Sequence, residues 1–252
     1  MRPEVHAEMA AVQGRHWWFV ARRRILAAVI GRLALPADAA ILEIGCGSGG
    51  NLAMLARFGR LQAMEYDSDA RAFAASLGVC TVAAGGLPDA LPYADARFDL
   101  VCLLDVLEHV QDDRAALASA ARLLKPGGRL LITVPAYAWL WSGHDSAHGH
   151  HRRYTAGTLR AAAEFVGLLA QRLGYFNTLL LPLIALARGI GKLRGAGAGA
   201  NPSSDAALPP APLNALLAGI FGLERLVAVH ALFPAGTSVL AVLGRRSSGG
   251  AP

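Results

Sequence analysis

Ile41-Leu42-Glu43-Ile44-Gly45-Cys46-Gly47-Ser48-Gly49-Gly50 decides how this chain folds. Ala39 to Ile44 is a short apolar run of strand length, and the glycines after it turn the chain into a helix carrying Leu52, Leu55 and Phe58, which Gly59 stops. Glycine is needed where the backbone must turn sharply and let a ligand come close. Gly45, Gly47 and Gly50 alone also satisfy the dinucleotide pattern G-x-G-x-x-G, which is a weak signal. Glu43 narrows it. A carboxylate at the end of an apolar strand is costly without a partner. The α-ammonium of an amino-acid-like cofactor supplies one, whereas a pyrophosphate does not.

Outward from this turn, strands and helices alternate. Leu61 to Tyr66 reads as a second strand, and Ser68 as the N-cap of a helix ending at Gly78. Val79 to Ala84 and Phe98 to Leu104 are the third and fourth strands. Asp112 caps a helix through Leu124 that Pro126-Gly127-Gly128 terminates, and Arg129 to Val134 is the fifth strand. Thr155 caps a helix to Gly167, and Leu168 to Phe176 and Thr237 to Gly244 are the sixth and seventh strands. Ahead of the turn, Val5 to Leu35 reads as helical, with Phe19, Ile25, Leu26, Val29, Ile30 and Leu33 near one face, until Pro36 and Asp38 break it. Strands alternating with long helices imply parallel pairing through crossovers, hence an α/β fold.

The second strand ends in Glu65, where a carboxylate can accept both hydroxyls of a ribose. Tyr66 offers a flat face to an adenine and Leu87 can cover its other side. With these residues the sequence resembles the class I S-adenosylmethionine-dependent methyltransferases, in the broad small-molecule branch. Five blocks carry the resemblance in the right order: Ile41 to Gly49; Met64-Glu65-Tyr66-Asp67; Leu91-Pro92-Tyr93 with Phe98-Asp99-Leu100-Val101; Asp105 to Val110; and Leu124-Lys125-Pro126-Gly127-Gly128-Arg129-Leu130. The resemblance implies a Rossmann-like, doubly wound, seven-stranded sheet, mostly parallel with the last strand antiparallel and helices on both faces. It implies S-adenosyl-L-methionine as cofactor. Glu43, Gly45 and Gly47 would contact its methionine portion, with Cys46 and Asn51 in the same binding set. Glu65 would contact the ribose, the Gly86-Leu87 backbone would lie near adenine, and Asp105 near the sulfonium. One departure is Gly85-Gly86, where many relatives carry an acid for the adenine amine; Asp89 or backbone atoms must substitute. The alternatives are a nicotinamide-dependent dehydrogenase, where Glu43 would sit badly beside a pyrophosphate, and a methyltransferase-like scaffold without catalysis.

Methyl transfer from a sulfonium asks the protein mainly for alignment, and for a base when the acceptor is a hydroxyl. Ligands in such sheets bind beyond the carboxyl ends of the strands, so the stretch from Pro135 to Tyr154 is the place to look. His144, Asp145, His148 and His151 are the candidates for a general base, with Arg152 or Tyr154 gripping the acceptor. His109, after the fourth strand, is a further candidate, with capping or packing as its alternative role. Trp139 and Trp141 can wall a substrate pocket, and of Trp17 and Trp18 one can cover the cleft, Trp17 being the residue assigned to substrate. His144, Asp145, His148 and His150 are also first-row metal-ligand types at close spacing. No cysteine or paired helical motif supports that reading, and no metal is expected.

Hydrophobic residues make up 54% of the 252 residues and charged residues 17%, which excludes disorder. The net charge of +6 is dispersed in short groups such as Arg22-Arg23-Arg24, and no nucleic-acid-binding signature accompanies it, so no nucleic-acid partner is expected. Cys46, Cys80 and Cys102 form no CxxC pair and fit reduced thiols in a cytoplasmic protein. No apolar run approaches the ~20 residues of a membrane span. Four segments follow: an N-terminal helical lid, 1–38; the cofactor-binding core, 39–177; an apolar helical insertion with a linker from Gly195 to Pro212, 178–236; and the final strand and tail, 237–252. The insertion carries Leu179 to Ala187 flanked by Arg188, Lys192 and Arg194, then an amphipathic helix from about Leu213 to Leu232. It fits an interfacial element suited to a lipid-linked or small-molecule acceptor, with peripheral membrane contact; a dimer or lid helix is the alternative.

Overall fold

The computed structural model describes residues 12–193 and 207–245. The helical reading before Val12 and the linker from Gly195 to Ala206 lie outside the described residues. The elements are α1 (Trp17–Ile30), β1 (Ala40–Ile44), α2 (Leu52–Leu55), β2 (Arg60–Glu65), α3 (Ser68–Ser76), β3 (Val82–Ala84), β4 (Phe98–Leu104), α4 (Asp113–Arg122), β5 (Leu124–Pro135), α5 (Gly143–His148), α6 (Ala156–Phe165), β6 (Leu168–Phe176), α7 (Leu181–Leu193), α8 (Ala211–Leu223), α9 (Arg225–Ala228) and β7 (Ser238–Arg245). The strands form one seven-stranded sheet in the order β3-β2-β1-β4-β5-β7-β6. The first five are parallel, and β7 runs antiparallel to β5 and β6. The doubly wound α/β architecture expected from the sequence is the one found.

Side chains alternate across a strand, and both faces of this sheet are buried. Leu42, Ile44, Val101, Leu103, Leu130 and Ile132 pack on one side with Ala116, Leu117 and Ala120 of α4 and Leu159 of α6. Ile41, Leu100, Cys102, Leu131, Leu240 and Val242 pack on the other with Ile25, Leu26, Val29 and Ile30 of α1 and Phe221 of α8. This is why the strands read as nearly continuous apolar runs.

Local chemistry moves some boundaries. Asp67, not Ser68, caps α3: its carboxylate accepts the N–H groups of Asp69 and Ala70, and a charged acceptor serves the positive end of a helix well. Asp112 and Thr155 cap α4 and α6 as expected. Pro126-Gly127-Gly128 does not end the fourth helix but forms an irregular entry into β5, where the pairing slips between Phe98↔Leu124 and Leu100↔Arg129. His16 begins α1 by accepting the Trp18 N–H, and Gln13 to Arg15 ahead of it form a turn.

The insertion folds onto α1. Asn214 accepts the Trp17 N–H at 2.8 Å and donates to the Arg15 carbonyl at 2.9 Å, while Phe221 meets the Trp17 ring edge-on at 6.0 Å. Buried Glu224 accepts the N–H groups of Asn177, Thr178 and Leu179 at 2.6, 2.7 and 2.8 Å. It thus supplies, from a distant part of the chain, partners for the backbone donors of the turn that leads from β6 into α7. Contrary to the composition reading, one run is apolar enough to cross a membrane by length and composition: the 18 residues Ala211–Ala228, of mean hydropathy 1.3. Phe221, Gly222 and Ala228 in it are buried against the rest of the chain.

Candidate active site

The sheet order reverses direction between β1 and β4, and the carboxyl ends of β2, β1, β4 and β5 converge there. They deliver Glu65, Glu43, Asp105 and Thr133. Glu43 is buried, and its Oε1 accepts from Asn51 Nδ2 at 2.8 Å. Burial pushes its carboxyl up to about 7, against the Asn51 hydrogen bond and the nearby Arg22 charge. Glu43 Oε2 meets no donor among the described residues.

Arg22 of α1 closes this group. One guanidinium nitrogen lies 2.8 Å from Asp105 Oδ2 and donates to Thr133 Oγ1 at 2.8 Å, while the other reaches Asn51 Oδ1 at 3.4 Å. Thr133 Oγ1 donates in turn to Asp105 Oδ1 at 3.0 Å, and Trp18 lies 5.1 Å over the guanidinium. Arg22 Nε is buried without a partner among the described residues. Asp105 sits at φ +61°, a conformation rare outside glycine that gathers at functional sites. Arg22 was missed as a site residue in the sequence, although a signal was there. It precedes Ile25, Leu26 and Val29 by three, four and seven residues, which puts a charge on the apolar face of the helix.

The glycine turn is held by Gly45 N–H donating to the Met64 carbonyl at 2.9 Å and by Gly47 N–H donating to Glu65 Oε2 at 2.7 Å. Gly47, at φ +54°, faces open space where a side chain would sit, whereas Val106 fills that space at Gly45. Cys46 is buried, and burial pushes its thiol far up. Glu65 Oε1 accepts the Asp67 N–H at 2.9 Å, so each of its oxygens has one donor and a second acceptor position left. Tyr66 is 82% exposed and lies against Gly86. Gly86 donates its N–H to the Ala90 carbonyl, while its own carbonyl accepts from Ala90 and keeps a second acceptor position. Leu87 is half-buried against the core, and Asp89 is exposed.

The loop after β5 folds back on itself, with Tyr137 N–H donating to the Tyr154 carbonyl at 2.8 Å. Tyr137 stacks between Tyr175, at 5.1 Å, and Trp139, at 5.7 Å. The loop gathers His144, His148 and His150 against His109: the first two stack at 3.8 Å, and His109 meets His150 edge-on at 4.7 Å. Burial and the neighbouring His150 and His148 push His109 down to about 3, so it is neutral.

Asp145 is not placed as a base. It is fully buried and accepts from Arg153 Nε and Nη2 at 2.8 and 2.9 Å, from the Ser142 N–H at 2.9 Å, and pairs with His150 Nδ1 at 2.8 Å. The His150 and Arg153 contacts outweigh burial and hold its carboxyl well below the usual range. The side chain of His151 is exposed, and its backbone N–H donates to the Glu108 carbonyl. Arg152 and Tyr154 both bind Asp113, at 3.0 and 2.9 Å, and Tyr154 is buried. Trp17 packs on Phe221, so Trp18, through Arg22, is the tryptophan on the site side. Trp141 is half-buried, with its indole N–H 3.4 Å from Ser146 Oγ. His150, considered in the sequence only as a metal-ligand type, lies against His109, His144 and His148, whereas His151 points outward.

Residues 18–170 match the model of a family described as methyltransferase domain. The chain belongs to the class I S-adenosylmethionine-dependent methyltransferases. It is 33% identical over 132 residues to a 27-O-demethylrifamycin SV methyltransferase of Amycolatopsis mediterranei, covering 48% of each chain. It is 33% identical over 105 residues to a ubiquinone biosynthesis O-methyltransferase of Xanthomonas axonopodis pv. citri, covering 39% of this chain and 44% of the relative. The chain thus spans about half the length of the curated relatives it matches. Its fold is that of the geranyl diphosphate C-methyltransferase of Streptomyces coelicolor, solved with S-adenosyl-L-homocysteine: TM-score 0.55 and 14% identity, covering 86% of this chain and 74% of that one. The residues present fit the family's cofactor. The unpartnered Glu43 Oε2 suits an ammonium, and the open side of Gly47 admits a close ligand. Nothing in these comparisons supports a dehydrogenase or a non-catalytic scaffold.

Proposed function

We propose that this protein methylates a hydroxyl oxygen of a small, largely apolar organic acceptor. The observation that carries the reading is two polar atoms buried at the carboxyl edge of the sheet, Glu43 Oε2 and Arg22 Nε, neither of which has a partner among the described residues. A zwitterionic amino acid completes both, its ammonium on Glu43 and its carboxylate on Arg22. S-adenosylmethionine supplies an activated methyl group on a sulfonium. Glu65 has acceptor positions left for the two ribose hydroxyls, Gly45, Cys46 and Gly47 line the methionine side, and Asn51 keeps Glu43 and Arg22 in place. Tyr66 and Leu87 flank the adenine position, and Asp105 stands at the exit of β4 where positive charge is brought. The chain's task is then to align an acceptor and exclude water.

The acceptor side is the Tyr137–Trp139–Tyr175 stack together with the His109–His150 pair. The relatives named 27-O-demethylrifamycin SV methyltransferase and ubiquinone biosynthesis O-methyltransferase support a hydroxyl on an organic skeleton. Exposed apolar side chains on the insertion, Leu183 and Leu186 of α7 and Leu213 and Leu216 of α8, support delivery of a lipid-like acceptor from a membrane surface by a cytoplasmic protein. Calorimetric titration with S-adenosylmethionine, followed by transfer of its tritiated methyl group to phenols and quinols, tests the reading. No heat with the donor, or heat with a nicotinamide nucleotide instead, would overturn it. Liposome co-sedimentation with and without the insertion tests the membrane part.

A further inference from the structure

Glu108, His109 and His150 bring a carboxylate oxygen and two ring nitrogens within 4.8 Å of one another. They come from two segments, the turn after β4 and the end of the loop after β5, joined where His151 N–H donates to the Glu108 carbonyl at 2.8 Å. Each histidine is oriented from behind. His150 Nδ1 is paired with Asp145, which Arg153 clamps from its other side, so Nε2 is the ring nitrogen left for a ligand. His109 hydrogen-bonds the Gly149 carbonyl and keeps its second nitrogen for the cluster. Glu108 is 1% exposed, and its Oε2 meets no donor among the described residues. A buried carboxylate oxygen without a partner is costly.

We propose that Glu108, His109 and His150 bind a divalent first-row transition-metal ion, with zinc as the best match, and leave part of its coordination shell open. Imidazole nitrogen with carboxylate oxygen is a borderline donor set that suits zinc, manganese and ferrous iron. Three protein ligands with an open position distinguish catalytic zinc sites from closed structural ones. A carboxylate behind a ligating histidine, as Asp145 stands behind His150, fixes the tautomer and raises ligand basicity. Asp145 therefore acts through His150 and is a positioning residue. Of the ligand types weighed in the sequence, His144, Asp145, His148 and His150, this site keeps His150 and adds Glu108 and His109.

Together with the methyl-transfer reading, on which this extension rests, the ion takes the acceptor's hydroxyl oxygen. The O–H bond gives its proton to water, the oxygen bonds the methyl carbon, and the carbon–sulfur pair leaves on the thioether. A metal ion lowers the pKa of a bound hydroxyl in this way without a side-chain base.

The test uses the full chain, stripped with a chelator and free of methyl donor. Zinc is titrated by calorimetry, and cobalt(II) by visible absorption. One equivalent is expected, with the cobalt d–d bands of an imidazole-containing site. H109Q and H150Q should each weaken zinc binding about tenfold or more, while H230Q, at an exposed histidine in the insertion, should not. E108Q should do the same. If it fails to fold, the two histidine variants, compared at equal metal-free thermal midpoints, decide the matter. A wild type that takes up no zinc, or H109Q and H150Q variants that bind it as tightly as wild type, would overturn the site. S-adenosylmethionine titrated into the same metal-free sample separates the readings. Donor heat without zinc heat removes the metal site alone, and zinc heat without donor heat removes methyl transfer alone.

Discussion

Two carboxylates, Glu43 at the end of β1 and Asp145 in the loop after β5, are both buried, yet they stand in opposite states. Asp145 has an arginine, a histidine and a backbone N–H around it, and its carboxyl lies well below the ordinary range. Glu43 has one amide donor and an oxygen with no donor among the described residues, and its carboxyl rises to about 7. A satisfied carboxylate holds structure together, whereas an unsatisfied one waits for a ligand. The difference teaches that burial of an acid says little about its role until its donors are counted.

The sharpest way to break the comparison is D145N. It leaves the buried Arg153 facing a neutral amide and should cost about 3–5 kcal/mol of stability by urea unfolding. A loss under about 1 kcal/mol would mean that Asp145 is not the scaffold described.

E43Q should act in the other direction. Glu43 binds its proton more tightly in the folded chain, with a value near 7 against an ordinary 4.5. Its contribution to stability is therefore fully present below pH 4.5 and lost as the pH rises through 7, amounting to about 3 kcal/mol. E43Q removes that slope, so at pH 8 the donor-free variant should be more stable than wild type while binding S-adenosylmethionine more weakly. Unfolding at pH 5 and pH 8 checks this, and an unchanged pH slope would refute it.

T133A removes the hydroxyl shared by Arg22 and Asp105 but leaves their ion pair, so a loss of about 1 kcal/mol is expected, read as a lowered thermal midpoint. H151A should change stability by less than about 0.5 kcal/mol and leave turnover intact, because that side chain is exposed. A large loss of turnover would return His151 to the reacting centre.

Sequence pattern alone determined the strand–turn–helix order, the glycine turn, the caps at Asp112 and Thr155, and the placing of Glu43, Glu65 and Asp105 at strand ends. Each of these follows from short-range periodicity and backbone preference, which a neighbouring handful of residues dictates. Tertiary structure alone decided which of three consecutive arginines reaches the strand ends, since Arg22 meets Thr133 across 111 residues. It likewise decided that Glu224 anchors the insertion across 47 residues, and that His109 and His150 come together beside Glu108. A side chain's role depends on how many of its hydrogen-bonding positions are already filled, and those partners come from parts of the chain that only folding brings together.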